Sequence, residues 1–115
     1  MEGFELITNI KKLSADLTKS IAVLKQNGVA LAEAEKNYKI KLRQHALILK
    51  DEKLPATLID KVVYGIVEVA ELRFKRDEAQ VIYDTNRDHL NVVKLQLRVL
   101  ESQYRTEFGA TGHGC

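Results

Sequence analysis

An all-α fold, an antiparallel two-helix hairpin with a coiled-coil seam, is what this sequence predicts, and three observations predict it. The only proline of the 115 residues, Pro55, sits near the midpoint of two long helix-like stretches. Six Gly and one Pro are too few turn residues for an all-β chain, while 45% hydrophobic residues are too many for a disordered one. Apolar residues in the second half recur at alternating steps of four and three, the period of a coiled-coil seam. One domain over residues 1–108 is expected, with helices at about 4–50 and 57–107, a turn at about 51–56 and a flexible Gly-rich tail at 109–115.

The first helix carries Ile10, Leu13, Leu17, Ile21 or Ser20, Leu24, Leu31, Ala34, Tyr38, Leu42, His45 and Leu49 at helical period. This stripe drifts by one position after Asn27-Gly28, which predicts a bend or a phase slip; two shorter helices broken at Gly28 are the alternative. At the corner, "LKDEKLPATLID", Pro55 disfavours the α conformation at Leu54 and cannot continue the preceding helix. Thr57 is the expected N-cap, with Asp60 near the positive end of the new helix. The second helix reads Leu58, Val62, Gly65, Val69, Leu72, Arg76, Ala79, Tyr83, Asn86, Leu90, Val93, Leu97, Leu100 and Tyr104. Unbroken, it would run roughly 70 Å at 1.5 Å per residue.

That second helix has further apolar residues outside the seam, among them Ile59, Val63, Ile66, Val67, Ala70, Phe74, Val81 and Val99. A helix apolar on more than one face is usually covered on more than one. Self-association into a dimeric four-helix bundle or larger oligomer is therefore expected, with a groove for another protein as the alternative. Ile66, Ala70, Phe74, Tyr83, Asn86, Leu90, Val93 and Leu97 are the candidate interface residues. Arg76 and Asn86 fall in the seam and are read as register devices, Arg76 needing a carboxylate such as Asp77. The functional alternative makes Arg73 and Arg76 an anion or partner contact.

Little chemistry is written in the remaining residues. His45, His89 and His113 show no ligand spacing, and a single Cys, Cys115, excludes both an intrachain disulfide and a thiolate cage. Asp84 and Asp88 lie one turn apart beside Arg87, which reads as a solvated charged face. No phosphate loop, nucleophile elbow or Cys–His pair is present, so no enzyme activity, catalytic residue, metal or cofactor is predicted. The beginning, "MEGFELITNI", lacks the basic and apolar regions of a signal peptide, and no apolar run reaches membrane-helix length; a cytoplasmic location without membrane contact is expected.

Charge is divided unevenly. Residues 1–50 hold nine Lys or Arg against five acids, and residues 57–108 hold eight against nine. Lys36, Lys39, Arg43 and Lys50 share one face of the first helix, a stripe that could track phosphates or steer an acidic protein; otherwise it is a solvated face. No aromatic residues interleave with it on the same face, which gives base stacking little support.

The run "PATLIDKVVYGIVEVAELRFKRDEAQVIYDTNRDHLNVVKLQLRVLESQ", together with "AEAEKNYKIKLRQ" in the first helix, resembles small proteins of unassigned role from temperate phages and prophages of Gram-positive bacteria. The resemblance spans about residues 30–104. It implies a non-enzymatic phage accessory acting in the host cytoplasm on an unidentified host or phage protein, and it carries no catalytic residues. An inhibitor of a host defence or host enzyme, in the manner of an anti-CRISPR protein, is its most concrete form. A nucleic-acid accessory of phage replication or recombination and a self-assembling structural protein are the alternatives. Secreted helical hairpins with a Trp-x-Gly turn match poorly, because Trp is absent and Tyr64-Gly65 is expected inside the second helix.

Overall fold

A computed structural model describes residues 2–109. Three α-helices follow in order: α1, Gly3–Asp51; α2, Ala56–Val63; and α3, Val67–Tyr104. A π-helical turn, Arg105–Gly109, comes last. No strand occurs among the described residues. Of the tail expected at 109–115, Gly109 belongs to the π turn, and residues 110–115, with His113 and Cys115, lie outside the described residues.

Two units make up the chain. One joins Met1–Lys25 to Thr85–Cys115, and the other is Gln26–Asp84. In the second unit α1 and α3 pack antiparallel, since rising numbers on one meet falling numbers on the other. Gly28 lies against Tyr83, Tyr38 beneath Arg76, and His45 beside Glu68. Its covered residues include Asn27, Leu31, Ala34, Tyr38, Leu42, His45 and Leu49 on α1 and Val69, Leu72, Arg76, Ala79 and Tyr83 on α3. Val69 is wholly buried. In the first unit Leu6, Ile10, Leu13, Leu17, Ser20 and Leu24 are covered on α1, and Asn86, Leu90, Val93, Leu97, Leu100 and Tyr104 on α3. From Val69 onward, every position of the expected seam is covered.

Gly28 does not interrupt α1. An added Cβ there would stand 3.4 Å from the Tyr83 ring, an ordinary contact. The expected phase slip is also absent, because Ser20 and Asn27 occupy covered positions while Ile21 faces solvent. With those two polar residues included, the stripe keeps its steps of three and four through Gly28.

The second half departs from expectation. In place of one helix over 57–107 there are two, separated at Tyr64–Ile66, and α3 gives way to the π turn after Tyr104. Tyr64-Gly65 thus marks a helix break and is not helix interior. Before the break the covered set is displaced by one residue: Ile59, Val63 and Ile66 turn inward, and the predicted Leu58, Val62 and Gly65 are exposed. The N-cap of α2 is Pro55, whose carbonyl accepts from the N–H groups of Leu58 at 2.9 Å and Ile59 at 3.1 Å. Thr57 lies inside the first turn, and Asp60 beyond it.

The corner closes through a Schellman motif. Leu54 N–H donates to Leu49 O at 3.1 Å and Lys53 N–H to Lys50 O at 3.0 Å, with Lys53 left-handed at φ 65°. A side chain costs roughly 1–2 kcal/mol in that region, and glycine avoids the cost. Lys53→Gly is therefore expected to stabilise the protein by about 1 kcal/mol. A urea titration in which its midpoint stays at or below the wild-type value would contradict this geometry.

Candidate binding surface

All four members of the basic stripe lie on α1 within the Gln26–Asp84 unit, and all are exposed. Helical spacing places them on one face. Lys39 Nζ stands 3.1 Å from Glu35 Oε1, one turn earlier, which offsets part of the stripe's charge. Exposed pairs of this kind contribute little to stability, on the order of 0.3–0.5 kcal/mol.

The two arginines of the second helix have separate environments. Arg76 is half-buried, with its guanidinium 4.7 Å from the Tyr38 ring centroid. Its Nε and Nη2 donate to Asp77 Oδ1 at 3.1 and 2.8 Å, so the expected carboxylate is Asp77. This hydrogen bond holds the Arg76 pKa above its ordinary value. Arg73 is exposed and lies 5.3 Å from the Tyr64 ring centroid.

Opposite Leu42 and Leu49, α3 begins with a second polar cluster. Glu68 Oε2 is 2.9 Å from His45 Nε2, and its Oε1 is 3.3 Å from Lys41 Nζ. The His45 hydrogen bond first, and the Lys41 hydrogen bond next, hold Glu68 below its ordinary carboxylate value. A carboxylate with a depressed folded-state pKa adds stability above the unfolded value, near 4.5, and loses it as pH falls through the lower folded value. Glu68→Gln should flatten that acid limb. Thermal unfolding followed from pH 6 to pH 3 checks it: wild-type and variant curves running parallel would remove Glu68 from the acid response.

Among the candidate interface residues, exposure separates two groups. Leu90 and Val93 are buried within the first unit, and Asn86 and Leu97 are half-buried there. Their contact surface is consumed inside the chain, which removes Leu90 and Val93 as partner contacts. Tyr83 is half-buried against Gly28, and Ile66 is half-buried at the break. Ala70 and Phe74 remain exposed.

Phe74 belongs to a stripe whose other members, Val67 and Val81, are not among the candidate interface residues. Val67, Phe74 and Val81 are 71%, 65% and 64% exposed, and they recur every seven residues on the face of α3 turned away from the seam. Val67, Ala70 and Phe74 line a shallow hollow together with Glu71, Lys75 and Glu78. The seven-residue recurrence was the available signal, masked by the stronger seam beside it. In the other unit, Leu13, Leu95, Val99 and Leu100 line a second hollow with Asn9 and Asp16.

His89 is exposed, Asp84 accepts from Gln80 Nε2 at 3.0 Å, and Asp88 lies 3.7 Å from Arg87 Nη2. Among the described residues, no three His, Cys, Asp or Glu side chains are grouped to hold a metal ion. No helix among them is long and apolar enough to cross a membrane. No family model, curated protein or solved structure matches this chain. What the arrangement offers chemically is an apolar stripe rimmed by alternating charges, a surface suited to contact with another helix.

Proposed function

We propose that this chain is a non-enzymatic accessory protein that acts by protein–protein binding through the outer face of α3. The observation that carries the reading is the exposed stripe Val67, Phe74, Val81, left over after the seam residues of α3 are covered. Apolar side chains recurring at helical spacing and rimmed by charge mark docking surfaces. The antiparallel packing within the Gln26–Asp84 unit supports a two-helix hairpin with a coiled-coil seam. Two such hairpins joined by their α3 faces give a four-helix bundle, so a second copy is the first occupant of the stripe.

The resemblance to phage and prophage proteins supplies the setting, host cytoplasm, and the most concrete role, inhibition of a host defence or host enzyme in an anti-CRISPR-like manner. The overall formal charge of +2 argues against mimicry of DNA, which needs an acidic surface. Capture from lysates of several Gram-positive hosts tests the role. Wild-type protein is expected to retain a specific host protein that Phe74→Asp loses. Identical profiles for the two would sink the inhibitor reading.

A second reading is a self-assembling structural protein, supported by the same exposed stripe of α3 as a contact between copies. For this class, assembly without any other partner is the whole function. The third reading, nucleic-acid association, rests on exposed Lys36, Arg43 and Lys50. A gel shift over a salt series decides it, since phosphate binding must weaken steeply with salt.

A further inference from the structure

We infer that the Tyr64–Ile66 break is a two-state hinge, held bent by Arg73 on Tyr64, whose other state is one continuous helix through α2 and α3. Three observations within the Gln26–Asp84 unit carry this. First, the chain enters the break in a helical conformation. Tyr64 has φ −71° and ψ −18°, and Gly65 does not have a positive φ. Gly65 N–H donates to Val62 O at 3.0 Å and Ile66 N–H to Val63 O at 3.3 Å, the short-looped pattern of a 3₁₀ turn. Exchanging these two bonds for i to i−4 bonds would join α2 and α3.

Second, residues 58–66 carry two apolar registers. The bent form covers Ile59, Val63 and Ile66. The heptad of α3, continued backward, would cover Leu58, Val62 and Gly65, which are exposed in the bent form. The bent set supplies three branched aliphatic side chains to α1 and the other set two. A sequence with near-equivalent apolar choices on neighbouring positions is the raw material of a bistable packing.

Third, one contact is specific to the bent form. Tyr64 and Arg73 are nine residues apart; in a continuous helix they would stand about 13 Å apart along the axis and on opposite faces. The 5.3 Å approach of the Arg73 guanidinium to the Tyr64 ring therefore exists only while the helix is broken. Cation–π contact of this kind acts as a latch. Gly65 acts in the same direction by lowering helix propensity at the hinge. Nothing steric requires it, since an added Cβ would meet only Val62 O at 3.5 Å. Straightening would present Ile59 and Val63 to solvent or to a partner in exchange for Leu58 and Val62.

Spin labels at Asp60→Cys and Glu78→Cys, in a Cys115→Ser background, read the state directly. A continuous helix separates these positions by about 27 Å, 18 residues at 1.5 Å. Wild type is expected to show a shorter distance as its main population. Gly65→Ala should raise the population near 27 Å about fivefold relative to the short one. Tyr64→Ala and Arg73→Ala should each raise it by a factor of about two to five, whereas Tyr64→Phe and Arg73→Lys, which keep ring and charge, should leave it unchanged. Tyr64 and Arg73 are exposed, so these variants are expected to fold, and circular dichroism checks that they do. A wild-type distance already at 27 Å would overturn the inference. So would a distribution that Gly65→Ala, Tyr64→Ala and Arg73→Ala all leave unmoved.

Discussion

Val69→Asp should abolish cooperative folding of the Gln26–Asp84 unit. Val69 is 0% exposed and faces α1 in the covered row of α3. Removing the valine forfeits roughly 1.5–3 kcal/mol of apolar burial. Installing a carboxylate in its place adds a desolvation cost of several kcal/mol unless the group is protonated or drags water inward. Together these approach the whole stability of a small domain, about 5–15 kcal/mol. The same substitution two residues earlier is the control. Val67 is 71% exposed, and Val67→Asp should change stability by about 0.5 kcal/mol or less. Amide exchange across residues 26–84 and thermal unfolding by circular dichroism distinguish the two variants. Equal stability for both would mean that α3 does not turn Val69 inward.

That contrast also shows what the sequence makes legible. The inward row from Val69 to Tyr104 could be read from spacing because burial, helical period and apolar character coincide there. The corner was legible because Pro55 has no N–H and restricts Leu54, so no continuous helix could pass it. The break at Tyr64–Ile66 was not, because the apolar period runs through it unbroken and an interior glycine costs only about 1 kcal/mol. Choosing Ile59 and Val63 over Leu58 and Val62 depends on tertiary packing, which no local rule contains. Lys53 hid the left-handed corner residue, since the usual signal there is glycine. Ser20 and Asn27 hid the regularity of α1, because polar residues were discounted from a stripe they complete. At the surface, Phe74 and Leu90 looked alike as apolar residues outside or inside a seam; only packing separates the exposed ring from the buried leucine. The Glu68 cluster with Lys41 and His45 joins residues more than twenty apart in the chain, beyond any spacing motif.

Phe74→Asp is expected to have the opposite profile to Val69→Asp: little effect on folding and a large one on binding. With 65% of Phe74 already exposed, most of its contact with solvent is unchanged by folding, and the variant should melt close to wild type. On the docking face the same ring is the largest side chain of the Val67, Phe74, Val81 stripe. Aromatic anchors at the centre of an interface commonly contribute 2 kcal/mol or more, which corresponds to about a thirtyfold loss of affinity. A carboxylate there, between Glu71 and Glu78, adds repulsion to the lost contact. A variant that melts far below wild type would instead make Phe74 part of the chain's own core.

The outer face of α3 as a docking surface for a second copy is tested most directly by the mass of the purified protein in solution. Sedimentation equilibrium at tens of micromolar should return at least twice the chain mass of 13.0 kDa for wild type, and the chain mass itself for Phe74→Asp. A wild-type mass of 13.0 kDa under the same conditions would contradict the account.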